Sequence, residues 1–199
     1  MRWRGRTKAM SKAVLISIRP EWCQLIANGE KTIEVRKTRP RLDTPFECYI
    51  YCTLPKYPHE DFVCTDYQKP QFYGGGKVIG KFTCDRIYEL EAENCHGGSY
   101  HAKGQDRATT NMIAQQSCLD IKEMHDYLHG KKGYAWHISN LVLYGTPKKL
   151  ECFRKLCPEG LYCENCAMYS DNEERCGNET LQLCRGPQSW QYVEELEHD

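Results

Sequence analysis

The segment Gly29-Glu30-Lys31-Thr32-Ile33-Glu34-Val35-Arg36 gathers two cations and a carboxylate into one short stretch. Lysine holds a phosphate as a point charge and arginine holds it with a planar two-donor fork. A glutamate between them can accept from a base amine or a sugar hydroxyl. Strict alternation puts Lys31, Ile33 and Val35 on one strand face and Thr32, Glu34 and Arg36 on the other. Lys31 stands at the strand's beginning, where its long stem can still swing into a cleft beside the preceding helix end. Arg19 and Lys37 flank this unit, and Arg39 and Arg41 carry its basic character onward. Arg19, Lys31, Arg36, Lys37, Arg39 and Arg41 are therefore a candidate nucleic-acid contact strip, with Glu34 at its centre. Its affinity should fall with salt, because phosphate neutralisation releases counterions. The competing reading is an exposed strand face whose ion pairs are each worth under ~1 kcal/mol. As a surface cation, Lys31 should matter to folding by less than ~0.5 kcal/mol.

Thirteen cysteines form a second group, and an odd number cannot all pair. No signal-peptide pattern is present, so a reducing compartment is expected, where clustered cysteines point to metal. Six of them, Cys152, Cys157, Cys163, Cys166, Cys176 and Cys184, fall within the last 48 residues. Cys163-x2-Cys166 lets two thiolates reach one metal from a tight knuckle. Cys157, before Pro158 and Gly160, and Cys176, before Gly177, are the best remaining pair. The expectation is one structural zinc on Cys157, Cys163, Cys166 and Cys176, with Cys152 and Cys184 in reserve. An iron–sulfur cluster or unligated thiols are the alternatives. A filled four-thiolate site has no open position, so it would clip the last strand in place or present a protein-interaction surface.

The chain's 199 residues, 40% hydrophobic, suffice for one well-buried domain and too little for two ordinary ones. A net charge of zero hides an asymmetry. Residues 1–41 carry eleven Lys/Arg against three Asp/Glu, whereas residues 151–199 carry four against eleven. A basic end can still offer a phosphate-binding face, because distant exposed charges are screened from each other. The acidic end suits a protein partner. No window approaches the ~20 apolar residues of a membrane span, so a soluble, cytoplasmic protein with no membrane partner is expected.

The elements that must position these groups follow in order. A basic arm covers residues 1–11. Val14–Ile18 reads as a buried strand, then Pro20 opens a helix through Trp22, Leu25 and Ile26 that Gly29 stops. Lys31–Arg36 and Phe46–Cys52 are strands, and 54–73 is a surface excursion. Lys77–Leu90 is one long strand with a bulge at Gly80. Residues 91–116 show weak patterning, and Ser117 is a candidate N-cap for a helix of residues 118–129. Tyr134–Ile138 and Leu141–Tyr144 are strands, and Trp190–Val193 offers a last one that returns to the main sheet. Trp136 and Tyr73 are candidates to stack on a base, though core packing explains them as well.

AVLISIRPEWCQLIANGEKTIEVRK resembles the start of an ASCH domain, whose signature GxKxxExR is matched by Gly29, Lys31, Glu34 and Arg36. The segments GKVIGKFTCDRI and YAWHISNLVLY are similar to later parts of that fold. The resemblance covers about residues 12–150. It implies a mainly β, α+β, PUA-like fold: a partly closed barrel with two main helices and the signature lining a cleft. A Cys-rich zinc segment (151–186) and a C-terminal strand and tail (187–199) would follow it. The whole chain also resembles bacterial and phage proteins ending in a segment like Pro187-Gln188-Ser189-Trp190. The family implies recognition of RNA or a modified nucleoside. Some small members are amidohydrolases acting on N4-acetylcytidine, with the signature Lys, a Thr three residues later and a separate Glu. Lys31 matches that Lys, but Glu34 stands at the Thr position. If this chain is an enzyme, Lys31 and Glu34 are the groups to activate water.

Overall fold

A computed structural model of the chain describes residues 11–62, 73–93, 99–158, 167–170 and 175–196. The basic arm lies outside these residues except for Ser11, as do Cys163 and Cys166. Among the described residues the fold is mixed α+β, with three α-helices, two main sheets and a short ribbon. The first sheet holds β11 (Trp190–Glu194), β1 (Lys12–Ile18), β3 (Phe46–Cys52), β4 (Lys77–Cys84) and β8 (Ser139–Lys148), in that order. The second runs β2 (Ile33–Arg36), β7 (Gly133–His137), β5 (Ile87–Ala92) and β6 (Tyr100–Ala102). β1 and β3 are parallel, which requires a crossover, and α1 (Pro20–Ala27) together with β2 supplies it. The expected last strand does return: β11 pairs antiparallel with β1, Val193 opposite Ala13 and Trp190 opposite Ile16.

Every face of both sheets is covered. Between them lies a core of Val14, Ile16, Ile18, Ile50, Phe82, Trp136 and their neighbours. On the outer face of the first sheet Leu15, Tyr49, Val78 and Val193 pack under Leu150 and under Phe153 and Leu183 of the Cys-rich segment. On the outer face of the second, Ile33, Val35, Leu90 and Ala135 pack under Ile113, Met124 and Leu128 of α2 (Arg107–Ser117) and α3 (Ile121–Leu128). The sheets therefore form an open, layered pair and not a closed barrel.

Three departures from the sequence reading have identifiable causes. α2 lies in the stretch that lacked a pattern: only Ile113 and Ser117 are buried, so its apolar stripe is too narrow to register. Its N-cap is Asp106, which accepts from the Thr109 N–H at 2.7 Å. Ser117 ends this helix instead of opening the next. Asp120 caps α3 in a reciprocal box with Glu123. The third departure is at 77–92, where one long strand becomes two in different sheets, broken at Asp85 and Arg86. The register does shift at Gly80, where a Cβ would lie 2.3 Å from the Val142 carbonyl oxygen, so only glycine admits that approach.

Two local chemistries yield expectations. Burial pushes the Cys84 thiol up to about 12, and the buried Cys23 and Cys48 thiols are likewise raised, chiefly by burial. With roughly one Cys84 in ten thousand ionised at pH 8, iodoacetamide should spare these three in the folded chain and modify the exposed Cys152 and Cys184. His137 of β7 has Nδ1 2.6 Å from Asp85 Oδ1. Burial alone would raise the Asp85 carboxyl, but the His137 hydrogen bond and charge hold it below its ordinary value. A lowered carboxylate adds stability above its unfolded pKa of ~3.9 and loses it as pH falls through the folded value. Asp85→Asn should therefore lower the melting temperature at neutral pH, with the gap closing at acid pH.

Candidate functional site

α1 ends where Gly29 takes the left-handed conformation (φ +76°), and the Lys31 N–H then donates to the Leu25 carbonyl at 3.0 Å. This return sends the chain at once into β2, whose neighbour is the end of α2: Thr32 N–H donates to Gln116 O. The Lys31 ammonium donates to the Ser117 carbonyl at 2.5 Å, at the negative end of α2. It lies 4.9 Å from the centre of the Trp22 ring and 3.4 Å from Glu34 Oε2. Glu34 Oε1 is 3.0 Å from an Arg36 guanidinium nitrogen, which also donates to the Ser17 carbonyl. One carboxylate is thus gripped by two cations, each held in turn by a main-chain oxygen.

The environment corrects the surface reading. β2 is buried on both faces, and Lys31 is 2% exposed. Ile33 and Val35 face α2 and α3, while Glu34 lies opposite Trp136 on the inner face. Lys31 is therefore not a surface cation. Arg36 Nε is buried with no partner among the described residues.

The other members of the strip stay at the surface. Arg19 pairs with Glu21 at 3.1 Å, with both side chains more than half exposed. Arg39 folds back on its own loop, donating to the Pro40 and Leu42 carbonyls. The Arg41 N–H donates to the Tyr192 hydroxyl, and Lys37 Nζ lies 5.1 Å from the centre of the Tyr127 ring. The structure joins Lys31, Glu34 and Arg36 into one centre and leaves Arg19, Lys37, Arg39 and Arg41 as exposed residues in sequence around it.

Several participants escaped the sequence reading. Tyr127 of α3 interacts with Arg36, and burial pushes its phenol above the ordinary value with Arg36 pulling the other way. Trp22 was legible only as a helix position. Ser17 carries the Arg36 contact, and its own N–H and hydroxyl donate to the carbonyls of Ser189 and Pro187. Trp190 completes the frame, donating from Nε1 to Thr38 Oγ1 and packing 6.0 Å from Trp136. The C-terminal Pro187–Trp190 segment thus braces the residue that holds Arg36. Trp136 itself is fully buried, which makes it core, whereas Tyr73 is exposed. A cavity of about 960 Å³ between β6 and α2 is lined by Tyr100, His101, Arg107, Ile113 and Met124, and none of the three charged residues reaches it.

Of the expected zinc ligands, Cys157 is half-buried and Cys176 lies in β10 (Arg175–Cys176). β10 pairs with β9 (Tyr169–Ser170), Cys176 opposite Tyr169, and the Gly177 N–H donates to Met168 O.

No family model and no curated protein matches the chain. Among solved structures, it is similar to ASCH from Zymomonas mobilis at 16% identity, with a TM-score of 0.48 and coverage of 92% of this chain and 88% of that chain. It is likewise similar to a tyrosine-to-phenylalanine mutant protein of ZmASCH from the same organism, at 17% identity, with a TM-score of 0.46 and coverage of 93% of this chain and 92% of that chain.

Proposed function

We propose that the protein binds RNA, recognising a base, modified or not, at the Lys31–Glu34–Arg36 centre. The observation that carries this reading is the buried carboxylate between two cations, with Arg36 Nε still lacking an acceptor. A base edge offers both the donors that Glu34 would accept from and the acceptor that Nε lacks. Trp22 and Tyr127 supply aromatic faces beside it, and Lys37, Arg39 and Arg41 supply phosphate contacts. The GxKxxExR resemblance to ASCH domains supports the same choice. The buried centre would then select the base while the rim supplies salt-sensitive affinity.

Fluorescence anisotropy with short single-stranded and duplex RNA tests this. The Lys37→Ala/Arg41→Ala double variant should melt like wild type yet bind more weakly. Its slope of log affinity against log salt should be shallower by about 1.4, from about 0.7 per phosphate contact on single strands. Trp22→Ala should weaken binding without changing that slope. Absence of RNA binding by wild type would overturn the proposal. Product release from N4-acetylcytidine would then favour a hydrolase, and capture of a protein by the acidic end an interaction module.

We also propose that Cys157, Cys163, Cys166 and Cys176 hold one structural zinc. The β9–β10 ribbon supports this, since it folds the chain back so that Cys176 and the residues after Cys166 meet. Elemental analysis should give one zinc per chain. Removal by a chelator should open residues 157–177 to protease, and a metal-free preparation that resists cleavage there would sink the idea.

A further inference from the structure

Cys152 and Cys184 belong to neither the charged centre nor the proposed zinc ligands. Both are free and exposed, and 31 residues of chain separate them. The backbone nonetheless pairs the residues next to them. Arg154 and Gln182 form an antiparallel bridge, flanked by hydrogen bonds from Lys155 N–H to Leu181 O at 2.7 Å and from Leu183 N–H to Phe153 O at 3.0 Å. In an antiparallel pair, each step back on one strand is matched by a step forward on the other. Phe153 stands against Leu183, and the next residues outward are Cys152 and Cys184. Phe153 and Leu183 both turn inward into the core under the first sheet; Cys184 follows Leu183 on the outward side, Cys152 closes the 3-10 turn Leu150–Cys152 just before Phe153, and both cysteines are exposed.

We propose that Cys152 and Cys184 are a redox pair that closes to a disulfide by exchange with a small-molecule disulfide such as oxidised glutathione. One thiolate attacks a glutathione sulfur, forming a mixed disulfide and releasing one glutathione thiolate. The second cysteine, as thiolate, then attacks the protein sulfur of that mixed disulfide and expels the other glutathione. The protein loses two electrons and two protons, and one glutathione disulfide becomes two thiols. The bond would close a loop holding all four proposed zinc ligands, tying both its ends to the Phe153–Leu183 anchor. It would also fix the chain three residues before Pro187, whose carbonyl takes the Ser17 hydroxyl. Exposure favours these two over Cys23, Cys48 and Cys84, whose burial keeps them as thiols.

The test is incubation of the full chain with oxidised glutathione at pH 8, quenching by alkylation, and mapping of tryptic peptides. The expected product joins the peptide Leu150–Arg154 to the one carrying Cys184, with fragment ions placing the bond on Cys184 and not Cys176. In Cys184→Ser the reaction should stall, so that glutathione accumulates on Cys152 at least tenfold above wild type. Repeating the oxidation in urea should scatter the pairing across other cysteines. Stable glutathione adducts on both residues of wild type, with no cross-link, would overturn the proposal. So would a cross-link from either cysteine to Cys157 or Cys176, or protection of both from alkylation until zinc is removed.

Discussion

Glu34→Ala is expected to lower the free energy of unfolding by about 3–5 kcal/mol, the usual cost of removing one partner from a buried ion pair. The expectation rests on what remains. Lys31 and Arg36 would be two buried cations without a carboxylate, left with the Ser117 and Ser17 carbonyls and the Trp22 and Tyr127 rings. Urea denaturation should show the midpoint shifted with little change in slope. The double variant Glu34→Ala/Lys31→Met should recover part of the loss, because it removes one of the stranded charges and keeps the stem's packing against Trp22. If Glu34→Ala melts like wild type, the carboxylate is solvated in solution and the centre is not the closed cluster described. A contrast with the rim sharpens the result. Lys37→Ala should change stability by less than ~0.5 kcal/mol, so any loss of RNA binding there reports on contact alone.

That pairing of buried centre and exposed rim marks where sequence reasoning ended. The residues of the centre could be named from their spacing, and so could the long-stem reach of Lys31. Their burial could not, because it depends on α2, whose single buried apolar residue, Ile113, gave no periodic signal. Without α2 and α3 over Ile33 and Val35, β2 reads as half-exposed, and its charges read as surface charges. The strands of the first sheet were legible because β-branched and aromatic runs such as Phe46–Cys52 are buried on both sides. The break at Asp85 and Arg86 was not, since nothing in KFTCDRIYEL interrupts a strand-like run strongly enough to show the change of sheet. Ser17 and the Pro187–Trp190 segment meet only through tertiary pairing, 170 residues apart in the chain, so their part in holding Arg36 has no local signature.

Phe153→Ala is the second large effect, with an expected cost of about 3–5 kcal/mol for emptying a fully buried aromatic site. The ring lies 4.9 Å from Tyr49 in an edge-on contact and sits with Leu150 and Leu183 over the outer face of the first sheet. That position decides between two views of the C-terminal segment. A zinc-held appendage would detach without disturbing the sheets, leaving the urea midpoint of the main transition unchanged. A segment that roofs Leu15, Tyr49 and Val78 would take the main transition down with it, since its loss bares that apolar face to water. The packing requires the second outcome. Phe153→Leu, which keeps much of the volume, should cost distinctly less, and metal content should stay at the wild-type value in both variants at low urea. Stability lost with metal content unchanged would show that packing at Phe153 joins this segment to the sheet that carries Ser17 and, through it, the grip on Arg36.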